Sequence, residues 1–240
     1  EMERMHEELN LAASIQREFT SAPFPRTPGV EFGLLYRPMN FVSGDIYNVH
    51  ALDDHRAAFM VADVVGHGVP AALLTMVLAN SLAGIERAAA TRGELSPAAV
   101  LSQLNARLCE MASGSGRFAT AVYGVIDSRA GTVTFAGAGH PPPALLHDGR
   151  MRSLETNGPL LGVFEDGEFD EVTVTLADGD SLFVYTDGLD QAFARTETGW
   201  SKELPTFRIE QMFAALRRCD GDPLESMMNE VSSQLDAQIG

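Results

Sequence analysis

Residues 69–91, "VPAALLTMVLANSLAGIERAAAT", have helical character and are apolar on nearly every face. A helix of that kind has to be buried. Pro70 falls in its first turn, where proline is tolerated. A second helix is predicted over 96–112, with Ser96 as N-cap and Pro97 at the first helical position. No strand separates the two, which argues against a doubly wound parallel fold. Strand candidates precede them at 31–37, 41–51 and 56–63 and follow them at 118–127, 131–137, 142–147, 170–176 and 181–186. The later strands are joined by turn-like stretches such as "DSRAG", "HDG" and "ADGD". Helical patterns return at 207–218 and 222–238. This order predicts an α+β fold with antiparallel sheets and helices packed outside.

Residues 1–19 read as a linker-like, coiled-coil-like helix. Met2, Met5, Leu9, Ala12 and Phe19, with Leu11 and Ile15 nearby, form a heptad-like stripe. Two readings stay open: a helix laid on its own domain, or a parallel helix pair, hence a homodimer, joining the domain to something upstream. A proline-rich loop opens the main domain, 20–240. A start directly in a helix points to a piece cut from a longer protein.

The formal net charge of -16 argues against nucleic acid and against anionic lipid as partners. It suits a soluble protein and equally a site whose carboxylates hold cations, and composition does not separate the two. Cys109 and Cys219 lie far apart without metal-ligand spacing, so neither a zinc site nor a disulfide framework is expected. The N-terminus is charged from its first residue and no apolar run approaches the ~20 residues of a spanning helix. The expectation is a cytoplasmic protein without membrane contact.

"FVSGDIYNVHALDDHRAAFMVAD" predicts a β-hairpin with its tip near Asp53, Asp54 and His55. A two-residue loop at 53–54 sets Asp45 opposite Ala62 and Gly44 opposite Asp63. A three-residue loop at 53–55 sets Asp45 opposite Asp63. Either way two carboxylates lie close across a strand pair, an arrangement that is destabilising unless a cation lies between them. Hard divalent ions such as Mg²⁺ or Mn²⁺ take such oxygen ligands. Asp187, in "SLFVYTDGL", ends another apolar strand candidate that aims it outward. Gly66 and Gly68 permit a tight turn that can bring main-chain oxygens and N–H groups to an ion, and the helix start beyond offers a positive dipole end. His67, between them, is read as structural more readily than as a ligand.

"FVSGDIYN", "VADVVGHGVPAALL", "FATAVYGVID", "FAGAGHPPPALL" and "FVYTDGLDQAF" occur in that order. Together they resemble the SpoIIE/RsbU-like bacterial branch of the metal-dependent (type-2C, PPM) serine/threonine protein phosphatases. The resemblance covers about residues 10–220. It implies a sandwich of two antiparallel β-sheets flanked by helices on both outer faces. It also implies hydrolysis of phosphoserine or phosphothreonine with two Mn²⁺ or Mg²⁺ ions that activate a water. By resemblance, Asp45, Asp63 and Asp187 are the catalytic and metal-binding aspartates. Val64 contributes a main-chain oxygen, and Gly44, Gly66, His67, Gly68 and Gly188 shape the site. The implied partners are a phosphorylated regulatory protein, such as an anti-sigma-factor antagonist in a partner-switching pathway, and an upstream sensor or receiver domain.

Ser43 stands where the family has glycine and Asn48 where an aspartate often follows. The Asp-Asp pair that leads into the family's last strand is missing from the sequence up to Gly240, and "CDGDP" at 219–223 is not in the equivalent place. Either the sequence is cut short of that strand, or the protein lacks a ligand for one ion, which is then expected to be weakly held. The alternative reading is a pseudophosphatase that binds a regulator without turnover.

Overall fold

A computed structural model of the chain describes residues 10–16, 23–38, 41–92, 95–112, 116–189, 195–196, 199–200 and 223–239. They fall into two compact units. The first holds helix α1 (10–16) and strands β1 (Asp45–Ala51), β2 (Arg56–Val64), β3 (Ala119–Asp127), β4 (Thr132–Ala138) and β7 (Glu171–Thr175), with helices α2 (Val69–Arg92) and α3 (Pro97–Ala112). The second holds β5 (Ala144–His147), β6 (Arg150–Ser153), β8 (Ser181–Phe183), a short ribbon of β9 (Arg195–Thr196) and β10 (Gly199–Trp200), and helix α4 (Leu224–Ile239).

In the first unit five strands form an antiparallel sheet in the order β1-β2-β3-β4-β7. Alternate residues along a strand point to opposite faces. Ile46, Ala58, Met60, Ala62, Val64, Ala121, Tyr123 and Ala136 thus share one face, and all belong to a single buried cluster. Leu74, Leu78, Leu82 and Ile85 of α2 and Val100, Leu101, Leu104 and Leu108 of α3 fill it. The many alanines on the sheet leave room for the leucines above them.

Two expectations about α2 need correction. Its stretch Val69–Thr91, 23 residues with mean hydropathy 1.5, is by length and composition long and apolar enough to cross a membrane. It is also not buried all round: Leu73 is 58% exposed, while Leu82 opposite is 1% exposed. The sheet and α3 cover one side of this helix, and half of the stretch is buried.

A polar group is threaded through this apolar layer. The Tyr123 hydroxyl donates to Glu86 Oε1 at 2.7 Å, His50 Nε2 lies 3.1 Å from Glu86 Oε2, and His50 Nδ1 lies 2.7 Å from Asn48 Oδ1. Burial, and then the Glu86 charge, push the Tyr123 hydroxyl well above the ordinary tyrosine range, so it stays a proton donor. Tyr123→Phe is expected to destabilise the protein by about 1–3 kcal/mol, because the buried Glu86 loses a donor. Urea unfolding at neutral pH checks this, and loss of less than about 0.5 kcal/mol, the range of an inert surface change, contradicts it.

The β1–β2 tip settles the alternative left open by sequence. Leu52 N donates to Arg56 O at 2.8 Å, closing a loop of Asp53, Asp54 and His55. Asp53 organises it: Oδ1 accepts from His55 N and Arg56 N, each at 2.9 Å, and Oδ2 accepts from Arg56 Nε at 2.7 Å. The His55 N–H, and next the Arg56 side chain, hold the Asp53 carboxyl at about 2. A depressed folded value means that this contribution is present above the ordinary carboxylate range and is lost as pH falls toward that value. Asp53→Ala is expected to speed amide exchange at Leu52 and Asp53 at neutral pH but to make little difference at a pH near 2; equal exchange in both proteins at neutral pH would contradict it.

In the second unit the order is β6-β5-β8, again antiparallel. Ala144, Leu146, Met227 and Leu235 form its core, with Met151, Phe183, Tyr185 and Val231 packed against it. Asp148 and Gly149 have φ of 45° and 65°, the backbone of a tight hairpin turn. The predicted strand 181–186 stops at Phe183, which pairs with Ala144. The next partner would be Pro143, which has no N–H to give. The predicted strand 31–37 is not a strand. Leu35 instead packs against the core of the second unit, and a Cβ at Gly33 would come within 2.9 Å of Met228 Sδ. The strand predicted over 41–51 begins only at Asp45. The helix predicted at 222–238 is α4, whereas the helix predicted at 207–218 and Cys219 lie outside the described residues. Cys109 is half-buried, and burial pushes its thiol up.

Candidate metal centre

The three-residue tip places Asp45 directly opposite Asp63. Asp63 is in turn opposite Thr120 on β3. Residues paired across antiparallel strands share a face, so Asp45, Asp63 and Thr120 form a row on the sheet face away from α2. Thr120 Oγ1 lies 2.8 Å from Nδ1 of His140, which is buried. His140 therefore braces the end of this row through Thr120. Asn48 points to the other face, toward His50, so its departure from the family pattern leaves the Asp45 side untouched.

Main-chain oxygens gather at the same edge. Val64 N donates to Gly44 O at 3.0 Å. A Cβ built at Gly44 would stand 2.6 Å from Val64 O, 3.3 Å from Asp63 Oδ1 and 3.4 Å from Gly66 O. Only glycine fits where three oxygens converge. Gly66 and Gly68 have φ of 102° and 76°, a region that other residues adopt rarely. The chain then enters α2 at once, with Ala72 N donating to Gly68 O at 3.1 Å. His67 is exposed between the two glycines.

The donors offered here are carboxylate and carbonyl oxygens, the ligand class of Mg²⁺ and Mn²⁺ rather than of zinc or copper. Like charges face each other in the ladder, and a bound cation offsets their repulsion. The residues present thus fit a hard divalent ion. Among the described residues no group of three or more His, Cys, Asp or Glu side chains is arranged to hold a metal. Asp187 and Gly188 belong to the second unit and are exposed. They lie past the end of β8, beside a turn in which Leu189 N donates to Thr186 O at 3.1 Å. A Cβ at Gly188 would make only ordinary contact, 3.6 Å from Thr186 Oγ1.

Sequence reasoning missed the supports behind the aspartates. Ser43, standing where the family has glycine, accepts at its Oγ from Asp45 N at 3.1 Å. Gln16 holds Ser43 in turn, with Nε2 donating to Ser43 O at 2.7 Å. Ala13 and Gln16, not Leu11 or Ile15, form the buried side of α1. A glutamine three residues beyond an alanine on a helix, in a run of small residues, was the available signal.

Known proteins bear on this arrangement. The chain is 32% identical over 186 residues to the phosphoserine phosphatase RsbP of Bacillus subtilis, an alignment covering 76% of this chain and 45% of that protein. It is 27% identical over 195 residues to the phosphoserine phosphatase RsbU of the same organism, covering 80% and 56% respectively. The chain thus spans about half the length of these curated relatives. Among solved structures, the SiaA-PP2C domain of Pseudomonas aeruginosa superposes with a TM-score of 0.77 at 26% identity, over 99% of this chain and 89% of that one. The α+β fold is therefore that of the PP2C domains. The family model of Stage II sporulation protein E (SpoIIE) matches residues 53–240, from the hairpin tip through α4, and the chain belongs to that family.

Proposed function

We propose that the chain is a metal-dependent protein serine/threonine phosphatase. Its substrate is phosphoserine or phosphothreonine on a regulatory protein, such as an anti-sigma-factor antagonist in a partner-switching pathway. The observation that carries the reading is the Asp45–Asp63 pair, held in register with Val64 O and Gly66 O at one sheet edge. The relatives named phosphoserine phosphatases support it.

Asp45 and Asp63 would hold Mn²⁺ or Mg²⁺ through their carboxylates, with Val64 O as a main-chain ligand. Asp187 joins the set by family resemblance. When bound, a pair of such ions supplies an activated water and neutralises phosphoryl charge. The protein's own part is to hold the two carboxylates opposite each other and to fix their direction. Gly44 keeps the space between them and the carbonyls open. Gly66 and Gly68 turn the backbone so that its oxygens face that space, and α2 anchors the turn in the core.

In this reading the protein acts in the cytoplasm as the output domain of a longer signalling protein, under an upstream sensor or receiver domain. The N-terminal helix pairs with that of a second copy. Leu11 and Ile15, 62% and 40% exposed, offer apolar side chains for that contact.

Asp63→Asn is expected to cut Mn²⁺-dependent hydrolysis of p-nitrophenyl phosphate about a hundredfold or more, since losing a ligand costs at least as much as losing a group that orients one. Undiminished turnover would sink the proposal. Replacing both Leu11 and Ile15 with Asp is expected to lower the mass seen by light scattering from dimer to monomer; an unchanged mass removes the paired helix.

A further inference from the structure

Gln16 is 6% exposed and Thr75 is fully buried. A buried primary amide is tolerated only when its donors and acceptor are matched. Here they are. Gln16 Nε2 donates to Ser43 O at 2.7 Å and to Thr75 Oγ1 at 2.9 Å, and Gln16 Oε1 accepts from Ser43 N at 3.1 Å. Thr75 Oγ1 donates to Ala72 O at 2.7 Å, so toward Gln16 it acts as acceptor. The Ser43 N–H requires an oxygen, which fixes the orientation of the amide.

Ser43 precedes β1, whose ladder begins at Asp45. The Gln16 amide engages both its N–H and its C=O, as a neighbouring strand would. Ser43 passes the constraint on, because its Oγ accepts from Asp45 N at 3.1 Å and faces Asp45 Oδ2 at 3.5 Å. The second distance is long for a hydrogen bond, so the hold acts mainly through the backbone. The hydroxyl is also the group that the family's usual glycine lacks.

We propose that Gln16 is a positioning residue for Asp45: it fixes the entry to β1 through Ser43 and so directs the Asp45 carboxylate toward the metal edge. The inference rests on the reading of Asp45 as a ligand. It concerns Gln16 and Thr75, which lie outside the motifs that carry the family resemblance, and their hold on Ser43 within one of them.

The test is calorimetric titration of Mn²⁺ into the full chain, with thermal midpoints measured in chelator. Gln16→Met keeps the length and removes all three hydrogen bonds. It is expected to weaken Mn²⁺ binding about tenfold, the low end of the range for groups that orient metal ligands. Ser43→Ala is expected to weaken binding in the same direction with an unchanged midpoint. Thr75→Val cuts the link to α2 but keeps both bonds to Ser43, so the midpoint should fall while Mn²⁺ affinity holds. Wild-type affinity in Gln16→Met overturns the proposal. So does a loss of affinity that tracks the midpoint through all three variants, since that is what a merely structural contact produces. Should Gln16→Met fail to fold, Ser43→Ala decides, and unchanged affinity there overturns it. A wild-type chain that binds no Mn²⁺ defeats the metal reading itself and takes this inference with it.

Discussion

Three hydrogen bonds to one carboxylate, that of Asp53, define the turn on which both the core and the metal edge depend. They hold a three-residue loop between β1 and β2. Side chains alternate along a strand, so a shift of one residue turns one strand's set of side chains to the other face. With the observed register, Ile46 meets Ala62 beneath the helices and Asp45 meets Asp63 on the opposite face. With a two-residue loop, one of the two aspartates would turn into the leucine layer of α2 and α3. The hydrophobic layer therefore favours the same register that brings the carboxylates together.

The repulsion between those carboxylates is then a local conflict, set inside a sheet that would be more stable without it. Such conflicts concentrate where a protein binds or reacts. The surroundings are built to hold it. Val64, whose carbonyl faces Gly44, buries its side chain in the cluster with Leu74 and Leu78. The Gly66–Gly68 turn runs straight into α2, whose Leu74, Leu78 and Leu82 lie in that same cluster. An oxygen that must point at an ion is fixed by a side chain that must point away from water.

The sequence made this hairpin, the glycine turn and α2 legible because each has a strong local cause: alternation, backbone freedom, an apolar run. The start of α3 was legible too, with Ala99 N donating to Ser96 Oγ at 3.2 Å. What was illegible depends on partners distant in the chain. Residues 31–37 have strand composition, yet among the described residues they pair with no strand, and Leu35 packs its apolar surface on a core instead. "RMRS" carries little strand signal, and β6 exists because the Asp148–Gly149 turn folds it back on β5. The end of β8 is decided by a proline some forty residues earlier. In the site, Asp45 and Asp63 could be paired from loop counting alone, but Gln16 reaches Ser43 across 27 positions and Thr75 across 59. Asp187 stands by its motif, and its direction does not follow from a strand in the way the sequence implied.

Polar contacts also explain why α2 sits at one position along the sheet. Leucines on alanines are permissive: an apolar layer tolerates small slips better than it specifies one alignment. Hydrogen bonds in a dry interior are directional and costly to leave unmade. Near its start α2 is tied by Thr75 to Gln16, and three turns later by Glu86 to Tyr123 on β3 and His50 on β1. Sliding the helix by one residue would break both ties at once and expose a buried carboxylate to an apolar layer. The helix cannot shift along its axis without that loss, and neither can the glycine turn from which it springs. The stiffness required of the oxygens around Gly44 thus comes from residues ten or more angstroms of helix away, as an α-helix rises about 1.5 Å per residue.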